Sequence, residues 1–193
     1  MSLRTKMRRF GRDRSGLAAV EFAFLLPVMI TIFFGLVEVS AAVECRADVA
    51  DIAGTAADLT AQVTTASTAD MTNVFNAANT ILYPFYDATS SNSAQQNKPN
   101  LTIASVIDNG AADKKSGKVA WVCAQGTPAV TVGQIVTFTQ PLMNTGGSVI
   151  YSVITYNYAS PTSKVIAGNI TMTNSFYTKP RRTTQITLQS CPA

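Results

Sequence analysis

The sequence predicts an α+β protein: one long N-terminal helix, a second short helix and a small, mainly antiparallel β-sheet. Three patterns predict it. From Phe22 to Val37 no side chain is charged. Beyond that run, Glu44, Asp48, Asp51, Thr55, Asp58 and Gln62 recur at steps of four, three, four, three and four, which places them on one stripe of a helix. From Leu101 onward the apolar period falls to two, the signature of strands.

The uncharged run, taken with Leu17 to Val20 before it, is interrupted only by Glu21. A hydrocarbon core of about 30 Å needs roughly 20 helical residues, and core helices of soluble proteins seldom stay apolar on every face for that long. Residues 17–39 therefore read as a membrane-spanning helix, with 40–63 as its continuation outside the bilayer. The chain carries a net charge of +4, but the charge is unevenly placed. Residues 1–16 hold six bases (Arg4, Lys6, Arg8, Arg9, Arg12 and Arg14) against Asp13, a net +5, and the remainder is −1. Basicity thus belongs to the first segment rather than to a nucleic-acid-binding face, and no nucleic-acid partner is expected. Positive charge beside a membrane helix marks the cytoplasmic side, so the N-terminus faces inward and residues from about Glu44 face outward, which in a bacterium is the periplasm.

Two other readings fit the same stretch. One is a secretory signal peptide cut after Val39-Ser40-Ala41; against it stand an apolar run longer than the usual 7 to 15 residues or so, Glu21 inside it and Glu38 near the cut. The other is a plain anchor that is never cleaved. Glu21 separates them from a third. A carboxylate at mid-bilayer costs on the order of 2.5 to 3.5 kcal/mol, so one in a spanning helix normally has a partner. If the chain were cut between Gly16 and Leu17, the new ammonium would be residue one and Glu21 residue five. In a bundle of such helices, one subunit's Glu21 could neutralise a neighbour's terminal ammonium at low dielectric. Pro27, inside the same helix, removes a backbone hydrogen bond and predicts a bend that a membrane tolerates.

The run Gly16-Leu17-Ala-Ala-Val-Glu21-Phe22, preceded by Arg12-Asp13-Arg14-Ser15 and followed by Leu26-Pro27, resembles the N-terminal segment of TadE/TadF-like minor pseudopilins of the bacterial tight-adherence (Flp, type IVc) pilus system. The resemblance covers the first third of the chain. It implies a basic leader, residues 1–16, removed by a prepilin peptidase at Gly16–Leu17, with Glu21 and Phe22 in the processing and assembly motif. It also implies an inner-membrane protein with a pilin-like periplasmic head that assists initiation or assembly of pili. Its partners would be other minor pseudopilins, the major pilin, the peptidase, the inner-membrane assembly platform and membrane lipid. Tyr177-Thr-Lys-Pro180-Arg181 is similar to the Tyr-x-Pro-Arg endings of many TadE-like chains, with one residue extra. The competing function is a membrane-anchored or secreted periplasmic binding module unrelated to pili.

On the extension, Val43, Val49, Ala50, Ala53, Ala56 and Ala57 lie opposite the polar stripe, with Leu59 and Val63 at its margins. A rod from Leu17 to Val63 follows, roughly 70 Å at 1.5 Å per residue. After a Thr/Ser/Ala break at 64–68, Ser67 or Thr68 can cap a second helix with the stripe Met71, Val74, Phe75, Ala78 and Leu82, ended by Tyr83-Pro84. Asp87 to Asn100 is a polar loop. Strands are expected over 101–107, 118–125, 133–140, 149–158 and 186–189, a weaker one over 169–176, and a short helix over 161–167. Residues 64–193 then form one head domain, whose apolar sheet face the two helices can cover around one modest core.

Of three cysteines, Cys123 and Cys191 fall on sheet segments and are the preferred bridge in an oxidising compartment, although the other pairings stay open. Closing that loop would stabilise by about 4 kcal/mol in the chain-entropy model. Cys45 would be left as a small buried helix residue. The chain has no histidine, no Cys-x-x-Cys, no Gly-x-Ser-x-Gly and no phosphate loop, and Asp87, Asp108 and Asp113 sit in turn contexts. No catalysis, metal or cofactor is expected.

Overall fold

The computed structural model describes residues 16–160 and 169–192. Residues 1–15 of the expected leader and the expected helix over 161–167 lie outside the described residues. Helix α1 spans Leu17–Ala61, followed by β1 (Thr65–Ala66), α2 (Thr68–Ile81), a 3₁₀ turn at Ser93–Gln96, and then β2 (Asn100–Asp108), β3 (Ser116–Gln125), β4 (Ile135–Thr137), β5 (Ser148–Ala159), β6 (Asn169–Thr178) and β7 (Thr187–Leu188). This is the α+β architecture of one apolar N-terminal helix, one short helix and an antiparallel sheet.

α1 is one helix lying in two environments. From Leu17 to Phe34 every residue is exposed, with Phe24 at 77 % and Phe33 at 63 %. Burial begins at Glu38 and then recurs at Cys45, Val49, Ile52, Ala53, Ala56, Ala57, Thr60 and Ala61. Spacings of three and four put this second set on one face, and its many alanines let the backbone approach the sheet. Two sequence assignments change here. Val43 is 64 % exposed rather than on the packed face, and Ile52 and Cys45, which the polar stripe did not single out, lie at its centre with 0 % exposure. The rod also ends at Ala61 rather than Val63, and the chain turns there into β1.

α2 starts with a reciprocal cap. Ser67 Oγ accepts from the Asp70 N–H at 3.2 Å, and the Asp70 carboxylate accepts from the Ser67 N–H at 3.0 Å. Met71, Val74, Phe75 and Ala78 are its buried face, meeting α1 and the sheet. The loop over 87–99 is ordered by its own polar groups: Asp87 N–H donates to the Gln95 carbonyl at 2.8 Å, and Gln95 Nε2 donates to the Pro84 carbonyl at 2.8 Å.

The main sheet runs β4-β3-β2-β5-β6, every neighbouring pair antiparallel. Leu101 and Ile103 of β2, Cys123 of β3, and Ile150, Ile154, Tyr156 and Tyr158 of β5 pack under α1 and α2. The opposite face is covered too, which one core did not anticipate. Ala104, Val106, Val119 and Val149 pack beneath Val130, Val136, Phe138 and Met143. The cause is β5, whose run Val149-Ile150-Tyr151-Ser152-Val153-Ile154 presents apolar groups to both sides. The turn into this outer layer needs Gly126: its φ is +81°, and a Cβ there would stand 2.0 Å from Asn100 Oδ1.

Three strand boundaries differ from the sequence reading. The expected 133–140 strand shrinks to Ile135–Thr137, because most of that segment is spent wrapping the outer face. The weak 169–176 strand is a full ten residues long. The expected 186–189 strand is two residues and does not join the main sheet; it pairs in parallel with β1, Thr65 opposite Thr187 and Ala66 opposite Leu188.

Acid sensitivity follows from the head's carboxylates. The Asp108 pKa is held below its ordinary value by hydrogen bonds from Lys114 (2.9 Å) and the Gly110 and Gly146 N–H groups, that of Asp70 by Ser67, and that of Asp87 by Thr89. Asp48 is shifted the other way, by burial and then by Glu44 and Asp51. A depressed native pKa stabilises above the unfolded value of about 3.9 for Asp and loses that contribution as pH falls through the lower native value. Three such groups outnumber one, so denaturant midpoints of the solubilised protein should stay level from pH 7 to 5 and decline below about 4.

Candidate functional site

The described residues contain no cluster of His, Cys, Asp or Glu that could hold a metal. The surface that stands out is the first half of α1. It starts at Gly16, which occupies the N-cap with φ −80° and no side-chain cap; its carbonyl accepts from the Val20 N–H at 3.1 Å. Among the described residues neither torsion nor space demands glycine there, since φ is ordinary and an added Cβ would meet none of them within 4 Å. Leu17 and Phe22 are 60 % and 56 % exposed. Glu21, four residues after Leu17, lies one turn along, roughly 6 Å up the axis at 1.5 Å per residue, where the positive end of the helix favours a carboxylate. Among the described residues Glu21 is exposed and takes part in neither ion pair.

Pro27 does not interrupt α1, which continues as one helix through it, and Thr31 Oγ1 donates to the Pro27 carbonyl at 2.8 Å. Around it Val20, Leu25, Leu26, Val28, Met29, Ile30, Ile32 and Phe34 all stand 40–60 % exposed or close to it on every side of the helix. No part of the head covers this segment: the most apolar stretch of α1 has none of its residues buried. In water such a surface is unfavourable by tens of cal/mol per Å² of apolar area, whereas in hydrocarbon it costs nothing.

The head joins this helix without a linker. Glu38 is only 2 % exposed, and the Tyr158 phenol has its pKa raised by burial first and then by Cys45 and Glu38. At the far end Arg181 donates its N–H to the Ala61 carbonyl at 2.9 Å, and its guanidinium pairs with Asp58. That arrangement closes the C-terminus of α1 with both a backbone donor and a cation. Tyr177 of the same segment stacks on Tyr151 with centroids 4.6 Å apart. Nothing in the spacing of Asp58 and Arg181 along the chain links them.

Cys123 and Cys191 are joined by a disulfide, and Cys45 is a free, buried thiol whose pKa is pushed up to about 12 by burial and then by Asp48 and Glu44. A protonated, enclosed thiol does not react. A maleimide should therefore label the native protein negligibly, label one thiol after denaturation without reductant, and label all three only after reduction.

The fold and this site define a class: a protein with one N-terminal apolar helix that fits a single-pass membrane anchor, and whose second half doubles as the central helix of a small α+β head. The family model for TadE-like proteins matches residues 16–58, from the glycine at the N-cap to the aspartate held by Arg181. The similarity thus falls on the helix shared by the apolar segment and the head. No curated protein and no solved structure matches the chain.

Proposed function

We propose that this protein is a non-enzymatic minor pseudopilin of a tight-adherence (Flp, type IVc) pilus system, processed between Gly16 and Leu17 by a prepilin peptidase. It would be held in the bacterial inner membrane by Leu17 to about Val39 with its head in the periplasm. One observation carries the reading: the TadE-like match begins at a glycine that the fold itself does not require, directly before an uncovered apolar helix with a carboxylate one turn in. A glycine lets another molecule come close to the backbone, and the proposal assigns Gly16 that role toward the peptidase.

After the cut, Glu21 would face the new ammonium of an adjoining subunit. Two charges in a low-dielectric bundle attract far more strongly than in water, so the pair would set the register of each added subunit against the last. The partners in this reading are other minor pseudopilins, the major pilin and the membrane platform. Intact-mass measurement of protein purified from membranes tests it. The expected mass is that of a chain beginning at Leu17. A chain beginning at Ala42 would mean secretion, and an uncut chain a simple anchor; either would overturn the proposal.

A further inference from the structure

Residues 179–192 leave β6 and cross the head as a strap with little apolar burial of its own. The strap first meets the end of α1 through Arg181. The Thr184 carbonyl then accepts from the Ser148 N–H at 3.0 Å, and the Ile186 carbonyl accepts from Trp121 Nε1 at 2.7 Å. β7 lies along β1, Gln189 N–H donates to the Ala66 carbonyl at 2.9 Å, and the Ser190 and Thr68 hydroxyls meet. Within the strap only Ile186 is fully buried, at 2 %, while Leu188 and Cys191 are partly covered. One isoleucine and a two-residue strand do not offset the entropy of ordering a segment this long. The last tie is covalent, from Cys191 to Cys123 on β3.

We infer that the Cys123–Cys191 bond is a redox latch for this strap: oxidation closes it over the ends of α1 and β1, and reduction opens it while the sheet and both helices stay packed. The core beneath takes little from the strap: Leu101, Ile103, Ile150 and Ile154 share one cluster with α1, α2 and Cys123, and of its fully buried side chains only Ile186 comes from residues 179–192. Closing removes two protons and two electrons from the Cys123 and Cys191 thiols and forms one S–S bond. The electrons go to the disulfide of a thiol–disulfide oxidoreductase, which leaves as a dithiol. Opening strips the Ala61 and Ala66 carbonyls of their donors, so the rod's outer end and β1 loosen with the strap. Only the oxidised chain presents a finished end to its rod, whether or not that rod enters a pilus.

The sole tryptophan, Trp121, sits under the strap and reports on it. The full-length oxidised protein in detergent micelles is compared with the same protein after a phosphine reductant and with Cys191→Ser. Three results are expected on opening: a red-shifted Trp121 emission maximum, tryptic cleavage after Arg181 and Arg182 faster by at least about tenfold, and β2 and β5 amides that keep their hydrogen-exchange protection. Should the strap be cut no faster once reduced, there is no latch. Should the sheet amides lose protection together with the strap, the disulfide holds the whole head and the inference fails. Reduced wild-type protein decides the matter even if Cys191→Ser does not fold.

Discussion

Replacing Glu21 with alanine should leave the protein in the membrane with an intact head and cut its co-purification with pilus subunits by about a hundredfold or more. Removing one partner of a desolvated ion pair typically costs about 3–5 kcal/mol, because the other charge stays buried and unpaired. In the proposed assembly that charge is the neighbour's terminal ammonium. Insertion itself should improve slightly, since a spanning helix loses a costly carboxylate. Head stability should not move, since Glu21 is exposed and burial in the head starts at Glu38. Glu21→Gln keeps size and hydrogen bonding but not charge, so it should fail nearly as badly if charge is what matters. The measurements are pull-down yield, piliation and the thermal midpoint of the solubilised protein. Normal piliation in both variants would remove the reason for placing an acid in this helix.

The second large effect separates the two halves of α1. Ile52→Ala empties a fully enclosed site between helix and sheet and should cost roughly 2–5 kcal/mol, as large-to-small core substitutions do. At about 2–4 °C per kcal/mol for a domain of this size, the midpoint should fall by on the order of 10 °C. Ile32→Ala makes the same chemical change twenty residues earlier, at a position 60 % exposed, and should shift the head's midpoint by no more than about 1 °C. Thermal unfolding in one detergent checks both. Equal losses would mean that the apolar half of α1 folds back on the head.

Much of this was legible because periodicity is a local property. An uncharged run long enough to cross a bilayer, a polar stripe at helical steps, a cap at Ser67 or Thr68 and alternation after Leu101 each sit within a few residues of one another, and each maps onto α1, α2 and the sheet. The misses share a different cause. Val43 and Ile52 exchanged places because a polar stripe marks what faces water only to within a residue or so, while the packed face is set by where the sheet lies. The outer layer over β5 was invisible because a strand covered on both sides loses the alternation that betrays a face. β1, two residues long, carries no pattern at all, and nothing local told that the strand expected near 186–189 would shrink to two residues and leave the main sheet to pair with it.

For the candidate site the division is similar. Glu21 and Pro27 are named by their place in the apolar run, Gly16, Leu17 and Phe22 by the resemblance of the segment around them, and the structure adds that the head leaves all five uncovered. The clasp between Arg181 and Asp58, the choice among three possible disulfides and the burial of Glu38 come from contacts between residues far apart in the chain.

By itself the sequence determined the two characters of the long helix, apolar on every face and then amphipathic, and the kinds of element that follow it, because side-chain polarity depends on residue type and its spacing on local order alone. Only the tertiary structure decided which face of that helix is packed, that the sheet is covered on both sides, and which cysteines meet. Those outcomes depend on the shape left when separate elements come together, a quantity that no single stretch of the chain contains.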